Sequence, residues 1–203
     1  MNILRGPLYH IFVALLVGAS LPLQIGIGVL VAVVTGLPIL YRQKRMGLGG
    51  KPFVLYKFRT MVWGSDTLQD RYHLRNEAKG PVFKIHDDPR HTPLGRFLSH
   101  TGLDELPQIW NVLTGDMALI GPRPLPVAEA GKLKAWQRAR HRIKPGIISP
   151  WILEGYHSRT FDEWMKSDIA YGKKKSPGTD VRLLLRAVVF VARLFLHELS
   201  RFL

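Results

Sequence analysis

Hydrophobic and polar positions divide the 203-residue chain into an apolar head, a polar middle and an amphipathic tail. From Gly6 to Tyr41 no residue carries a formal charge, and only His10 can take a positive one near neutral pH. That run far exceeds the roughly 20 residues a helix needs to cross a ~30 Å hydrocarbon core, yet it is short for two spans and a turn. Near its middle stands Ser20-Leu21-Pro22, where proline removes a backbone donor and serine can satisfy a freed carbonyl. Arg5 precedes the run, and Arg42, Lys44 and Arg45 follow it. Positive charge marks the cytoplasmic side, so both ends want the same side. The pattern predicts a re-entrant helix, bent at Ser20 and Pro22, that enters and leaves one leaflet. The alternatives are one long tilted or kinked span and a signal peptide cleaved near Val17-Gly18-Ala19. Against the signal peptide, the apolar run continues well past that site.

The tail, Val181 to Leu203, has helical periodicity. At 100° per residue, Arg182, Arg186, Arg193, His197, Ser200 and Arg201 fall within about 100° of arc, with Leu, Val and Phe around the rest. This predicts a helix lying in the membrane interface. Three arginines inside the run argue against a span.

Between head and tail the periods are short. A basic cluster and a Met46–Gly50 turn lead into the apolar run Pro52–Tyr56, which reads as a strand. Continued at period 2, it puts Lys57 and Arg59 on one face and Tyr56 and Phe58 on the other, an arrangement able to hold a diphosphate. Lys44, Arg45 and Lys51 read as contacts to lipid headgroups. His86, Asp87, Asp88 and His91 surround a proline-containing turn; their spacing fits no strong metal motif and predicts solvated polar residues. Leu94–His100 reads as a short helix. Residues 127–144 read as a basic helix with Lys132, Lys134, Arg138, Arg140, His141 and Arg142 on a solvated or membrane-facing surface. Ile147–Leu153 reads as an apolar cover, and Phe161–Tyr171 as a helix carrying Asp168. The predicted class is α+β, mainly helical with a small sheet: a monotopic membrane protein with an N-terminal re-entrant helix (1–41), a cytosolic domain (42–180) and a C-terminal interfacial helix (181–203).

Composition sharpens this picture. A formal charge of +14 joined to a mean hydropathy just above zero points to an anionic membrane surface before nucleic acid. The absence of cysteine excludes disulfides and thiolate chemistry. Gly47-Leu48-Gly49-Gly50 matches neither the dinucleotide nor the P-loop phosphate pattern.

Candidate chemistry concentrates between residues 104 and 124. Asp104 and Glu105 open a predicted helix with the stripe Leu106, Ile109, Trp110 and Leu113, stopped at Gly115. Pro107 is tolerated in a first turn. A helix N-terminus favours ionised carboxylates, which suits a nucleophile or a ligand for a hard divalent cation. An acidic first turn is by itself ordinary. Gly121-Pro122-Arg123-Pro124 changes its meaning, because a stiff non-helical segment there presents one arginine, the side chain best matched to phosphate oxygens.

The run from Asp104 to Leu125 closely resembles the signature of the monotopic phosphoglycosyl transferases, bacterial sugar transferases that start glycan assembly on a polyprenol phosphate. Gln43-Lys44-Arg45-Met46-Gly47, Gly50-Lys51-Pro52-Phe53, Tyr56-Lys57-Phe58-Arg59-Thr60-Met61 and Asp88–Arg96 fit the same pattern in the same order, covering roughly residues 40–146. The resemblance implies transfer of a phospho-sugar from a UDP-sugar to a membrane polyprenol phosphate such as undecaprenol phosphate, with release of UMP. It implies Asp104 as nucleophile, Mg²⁺ on Asp104 and Glu105, and phosphate contacts from Lys57, Arg59 and Arg123, with Asp168 a further candidate. It also implies a Ser-Pro break in the membrane helix, here Ser20 and Pro22, in a bacterial inner membrane; the basic, apolar composition points to anionic lipid as a partner, and the positive charge flanking the head to the cytoplasmic face. Departures are Ser99 and Lys144, where many members carry arginine, and Ile147–Trp151, which replaces a Thr-Gly-containing continuation. Two other readings are a membrane-tethered basic module for nucleic acid or anionic lipid and an inactive scaffold of the same fold. The first leaves the carboxylate pair and the Gly-Pro-Arg-Pro run without a role, and for the second Ser99 is the only hint.

Overall fold

The computed structural model describes residues 6–78, 80–154 and 159–201, so Arg5 lies outside the described residues. The apolar head forms one continuous helix, α1 (Pro7–Thr35), of 29 residues and about 43 Å. Pro7 occupies the first turn, where its missing N–H costs nothing, and Gly36 at φ 76° ends the helix in a conformation that disfavours side chains. Pro22 sits inside the helix. Ser20 Oγ donates to the Val17 carbonyl at 3.0 Å, one residue short of the carbonyl that Pro22 leaves without its helical donor. Val13, Val17, Ile27 and Val31 form one buried stripe, while Leu8, Leu15, Val29 and Val33 are exposed. The helix is apolar all round, with one side packed on protein and the other left open.

Strands β1 (Leu40–Met46) and β2 (Pro52–Phe58) pair antiparallel in register from Leu40↔Phe58 to Met46↔Pro52. A 3₁₀ turn at Leu48–Gly50 joins them. Helix α2 (Pro93–Thr101) is capped by the Thr92 hydroxyl, which accepts from Gly95 N–H at 3.0 Å. Gly95 lets α2 touch the chain after β2, since a Cβ there would lie 1.8 Å from the Thr60 carbonyl oxygen.

The predicted helix from Asp104 to Leu113 is divided. Leu103–Glu105 forms a 3₁₀ turn, and α3 runs only from Gln108 to Leu113. Pro107 is the reason: with no N–H to continue an α ladder, it becomes the N-cap of a new helix. The buried face also differs. Gln108, Ile109, Asn111 and Val112 are buried, while Trp110 points outward. Asn111 turns its amide to β2, donating to the Val54 carbonyl at 2.7 Å and accepting from Tyr56 N–H at 3.2 Å.

The expected basic helix over 127–144 is a short α4 (Val127–Gly131) and a 3₁₀ segment, Gln137–Arg142, with Arg140 fully buried rather than on the surface. Flanking them in sequence, β3 (Ala118–Ile120) pairs parallel with β4 (Gly146–Ile148). Gly121 and Gly146 permit that contact, because a Cβ on Gly146 would meet Gly121 N at 2.0 Å. Helix α5 (Pro150–Leu153) and α6 (Phe161–Lys174) follow, α6 opened by a capping box of Thr160 and Glu163. The tail is α7 (Pro177–Ser200), starting earlier than its periodicity suggested.

The molecule is therefore mainly helical with little sheet, as expected; among the described residues the sheet is two separate two-stranded pairs. Val13 of α1, Leu55 of β2, Val112 of α3 and Leu183 of α7 share one core. A second core joins Ile27, Val31, Phe58 and Leu98. Head and tail are thus built into the body, and both keep apolar faces open: Leu185 and Val188 of α7 are 65 % and 68 % exposed.

Candidate active site

The 3₁₀ turn after α2 carries Asp104 and Glu105, and two distant segments bring cations to it. Asn111 holds β2 at α3, and next to that hydrogen-bonded pair Lys57 Nζ lies 3.9 Å from Asp104 Oδ2. Lys57 pairs directly with Tyr41 across the hairpin, and its ammonium stands 5.4 Å from the Tyr41 ring centre. From the other side Arg123 Nη2 donates to Glu105 Oε1 at 2.6 Å. Four of the residues singled out in the sequence thus meet in one place.

Burial dominates the electrostatics. Asp104 is 5 % exposed, and its removal from water pushes the carboxyl up to about 7, against the pull of Lys57. The expected helix N-terminus is a turn away and does not govern its charge. Burial lowers the Lys57 ammonium, with Asp104 opposing. Glu105 is also desolvated, but the Arg123 guanidinium outweighs this and holds its carboxyl below the usual range. The two adjacent carboxylates are therefore unlike: one near neutrality, one firmly anionic. That separation suits one reacting group and one fixed charge. An open cleft of about 1670 Å³ reaches the pair through Lys57, with Tyr41, Trp63 and Trp110 also in its walls and Gln24 and Val29 of α1 on one side.

Arg59 is not part of this cluster. Strand β2 ends at Phe58, and the Arg59 guanidinium turns to the C-terminal end of α1. It donates to the carbonyls of Thr35, Gly36 and Leu37, the last at 3.0 Å. A helix end with unsatisfied carbonyls attracts a cation more strongly than period-2 alternation can steer it. Arg45, read as a lipid contact, instead donates to the Pro124 carbonyl at 2.8 Å. Ser20 and Pro22 lie in α1, away from the carboxylates in sequence and role. Asp168 is wholly buried on α6, where its Oδ2 accepts from Arg140 Nε at 3.0 Å and Nη2 at 2.7 Å. Sequence reasoning missed Arg140 and Asn111, whose partners lie 28 and 55 or more residues away. It also missed Lys84, which burial lowers to about 8 and which feels the charges of Arg123 and Glu105.

Two adjacent carboxylates supply hard oxygen donors of the kind Mg²⁺ takes, one or two at a time beside phosphate oxygens and water. Asp104 and Glu105 fit that donor set, each with one oxygen turned to a cation. Elsewhere, His86, Asp87 and His100 place ligand atoms within 4.8 Å of one another. There both His100 ring nitrogens are already engaged, with Glu198 at 3.2 Å and the His86 carbonyl at 3.1 Å, and Asp87 is paired with Arg96 at 2.7 Å.

Residues 5–194 match the model of the bacterial sugar transferase family. The chain is 40 % identical over 151 residues to the galactosyl transferase CpsE of Streptococcus agalactiae, covering 74 % of this chain and 34 % of that protein. It is 36 % identical over 163 residues to the undecaprenyl-phosphate galactose phosphotransferase of Salmonella typhimurium, covering 78 % and 34 %. To the UDP-glucose:undecaprenyl-phosphate glucose-1-phosphate transferase of Escherichia coli it is 33 % identical over 159 residues, covering 74 % and 32 %. The chain thus spans about a third of the length of these three relatives. With a family match along nearly its whole length, joined to a carboxylate pair, Asp104 buried and Glu105 half-buried, faced by Lys57 and Arg123, the chain belongs to the bacterial sugar transferases.

Proposed function

We propose that the chain transfers a phospho-sugar from a UDP-sugar to a membrane polyprenol phosphate, the first membrane step of a glycan's assembly. The observation that carries this is the meeting of Asp104 and Glu105 with Lys57 and Arg123 beside a cleft that reaches α1. The names of the Salmonella and Escherichia relatives support the acceptor class. Lys57 and Arg123 bind the diphosphate and set the sugar-bearing phosphorus in line with Asp104. An Asp104 carboxylate oxygen forms a bond to that phosphorus as the bond to UMP breaks, leaving an aspartyl phospho-sugar and free UMP. A phosphate oxygen of the polyprenol phosphate then attacks the same phosphorus, and the Asp104 carboxylate leaves unchanged. Each step exchanges one anionic oxygen for another, so no net proton is needed. Asp104 and Glu105 would hold a Mg²⁺ ion, which would supply charge neutralisation for the departing phosphate.

In this reading α1 is a re-entrant anchor at the cytoplasmic face of the bacterial inner membrane. Support comes from the basic residues after α1 and from contacts of both halves of α1 with the same protein body, Val13 near one end and Val31 near the other. The helix brings a lipid phosphate and a water-soluble nucleotide to one depth. Anionic lipid would meet the basic, apolar α7.

The experiment is mass spectrometry of the protein incubated with UDP-sugars and Mg²⁺ but no lipid. A phospho-sugar adduct on Asp104 with stoichiometric UMP is expected. UMP that forms only when polyprenol phosphate is added, with no trapped adduct, would make Asp104 a metal ligand in a direct transfer.

A further inference from the structure

Arg123 stands on a backbone with no slack. Pro122 and Pro124 have no N–H, and every carbonyl from Pro122 to Leu125 accepts a hydrogen bond. Gly146 N–H donates to Pro122 at 3.0 Å and Met46 N–H to Leu125 at 2.9 Å. The two carbonyls between them are taken by guanidiniums, Arg140 Nη2 on Arg123 at 2.6 Å and Arg45 Nη1 on Pro124 at 2.8 Å. Arg140 is 2 % exposed, and the same Nη2 also donates to Asp168 Oδ2, so Asp168 is joined through one nitrogen to the main chain of the residue that faces Glu105.

This arrangement is a poor device for stability alone. Burying an ion pair costs several kcal/mol in desolvation, and well-packed apolar residues of similar volume often serve as well or better. Asp168 Oδ1 adds to the cost, being buried with no hydrogen-bond partner among the described residues. What an apolar pair could not do is hold the Arg123 carbonyl. A carbonyl fixed in place fixes the Cα from which the guanidinium reaches out, between two prolines whose φ angles are already locked.

We infer that Asp168 and Arg140 are positioning residues for diphosphate recognition: they touch no substrate and act by holding the main chain of Arg123. The inference rests on the proposed reading that Arg123 binds the donor's diphosphate. Loss of the Arg140 bond then lets the guanidinium wander by about an ångström, a displacement that can cost on the order of 10²-fold in rate.

A double-mutant cycle tests this on the full chain in detergent, reading steady-state UMP release and, in parallel, UDP binding by calorimetry. The perturbations are the paired swap Arg140→Met/Asp168→Leu, which leaves no lone buried charge, and Arg140→Lys, which keeps the charge but not the planar fork. In the wild-type background each should raise KM for the UDP-sugar and lower kcat/KM by about 10- to 100-fold. In an Arg123→Ala background each should change kcat/KM by no more than about threefold, since nothing is left to position. Asp168→Glu with Arg140 intact should recover part of the loss seen with Asp168→Asn. Equal factors in both backgrounds, or a fall in kcat with KM unmoved, would make the pair merely structural and overturn the inference. If one perturbation fails to fold, judged by its melting curve, the other decides. Wild-type protein that neither binds UDP nor releases UMP would instead overturn the proposed function, an outcome distinct from additivity in an active enzyme.

Discussion

Two sets of buried charges lie near each other and are built differently. At Asp168, one carboxylate oxygen takes two guanidinium bonds of 3.0 and 2.7 Å and the pair is sealed from water. At Asp104, the nearest cation stands off at 3.9 Å and keeps a quarter of its side chain exposed. Burial pushes both carboxyls up, to about 6 at Asp168 and about 7 at Asp104. The difference is in what remains open. A tight pair spends its donors on the fold, whereas a loose one leaves an oxygen and an ammonium for a third party. Desolvation alone thus does not mark a reacting group, nor does one unpaired oxygen sealed inside the fold; desolvation beside a loosely held cation that solvent can reach does.

The strongest way to break this comparison is at its loose end. Asp104→Asn keeps shape and burial but has no nucleophilic oxygen anion, so UMP release should fall on the order of 10⁴-fold. Its melting temperature should hold or rise, because the wild-type carboxyl pays for burial above pH 7. The sign follows from linkage: a carboxyl raised to about 7 binds its proton more tightly folded than unfolded. Its contribution to stability is therefore greatest at acid pH and is lost as pH rises from about 4 through 7. A large drop in melting temperature would mean that Asp104 is structural.

At the tight end, Arg140→Met should cost about 3–5 kcal/mol in chemical denaturation at pH 7.5, because it strands a buried carboxylate. The loss should shrink as pH falls toward 5, where Asp168 can take up a proton. A loss independent of pH would show that Arg140 stabilises by packing rather than by charge.

A smaller effect sharpens the contrast. Lys57→Met removes the cation that opposes burial at Asp104, so the Asp104 carboxyl should rise further. The acid limb of kcat/KM, expected near 7 in the wild type, should move to higher pH, with kcat/KM at pH 7 down by about 10- to 100-fold. An unmoved limb would place the ionisation on another group.

The smallest change is expected far from both sets. Leu185→Ser/Val188→Ser on the open face of α7 should weaken partition to vesicles of anionic lipid by about tenfold or more, while UMP release in detergent stays within about twofold. Truncating the whole tail is a cruder test than its periodicity suggests, because Leu183 packs with Val112 behind the active-site turn.

What could be read along the chain was whatever depends on local composition or spacing. An uncharged run longer than a bilayer is thick declares a long apolar helix, and arginines at helical spacing declare an amphipathic one. Adjacent carboxylates, a proline-locked arginine and a lysine on a strand are legible because each is a motif of a few residues. The misreadings share one cause. Arg59 went to the carbonyls of a helix that ended more than twenty residues earlier, and Arg140 to an aspartate 28 residues later. Trp110 and Asn111 exchanged their expected faces because the edge of β2 offered Asn111 two backbone partners. Periodicity states which side of an element is apolar. It does not state which buried carbonyl or carboxylate waits opposite, and the cost of leaving such a group unpaired is large enough to redirect a polar side chain. The sequence by itself thus determined the two helices with open apolar faces and the residue types of the candidate site, while the tertiary structure decided which cations face the carboxylate pair and which hold the fold.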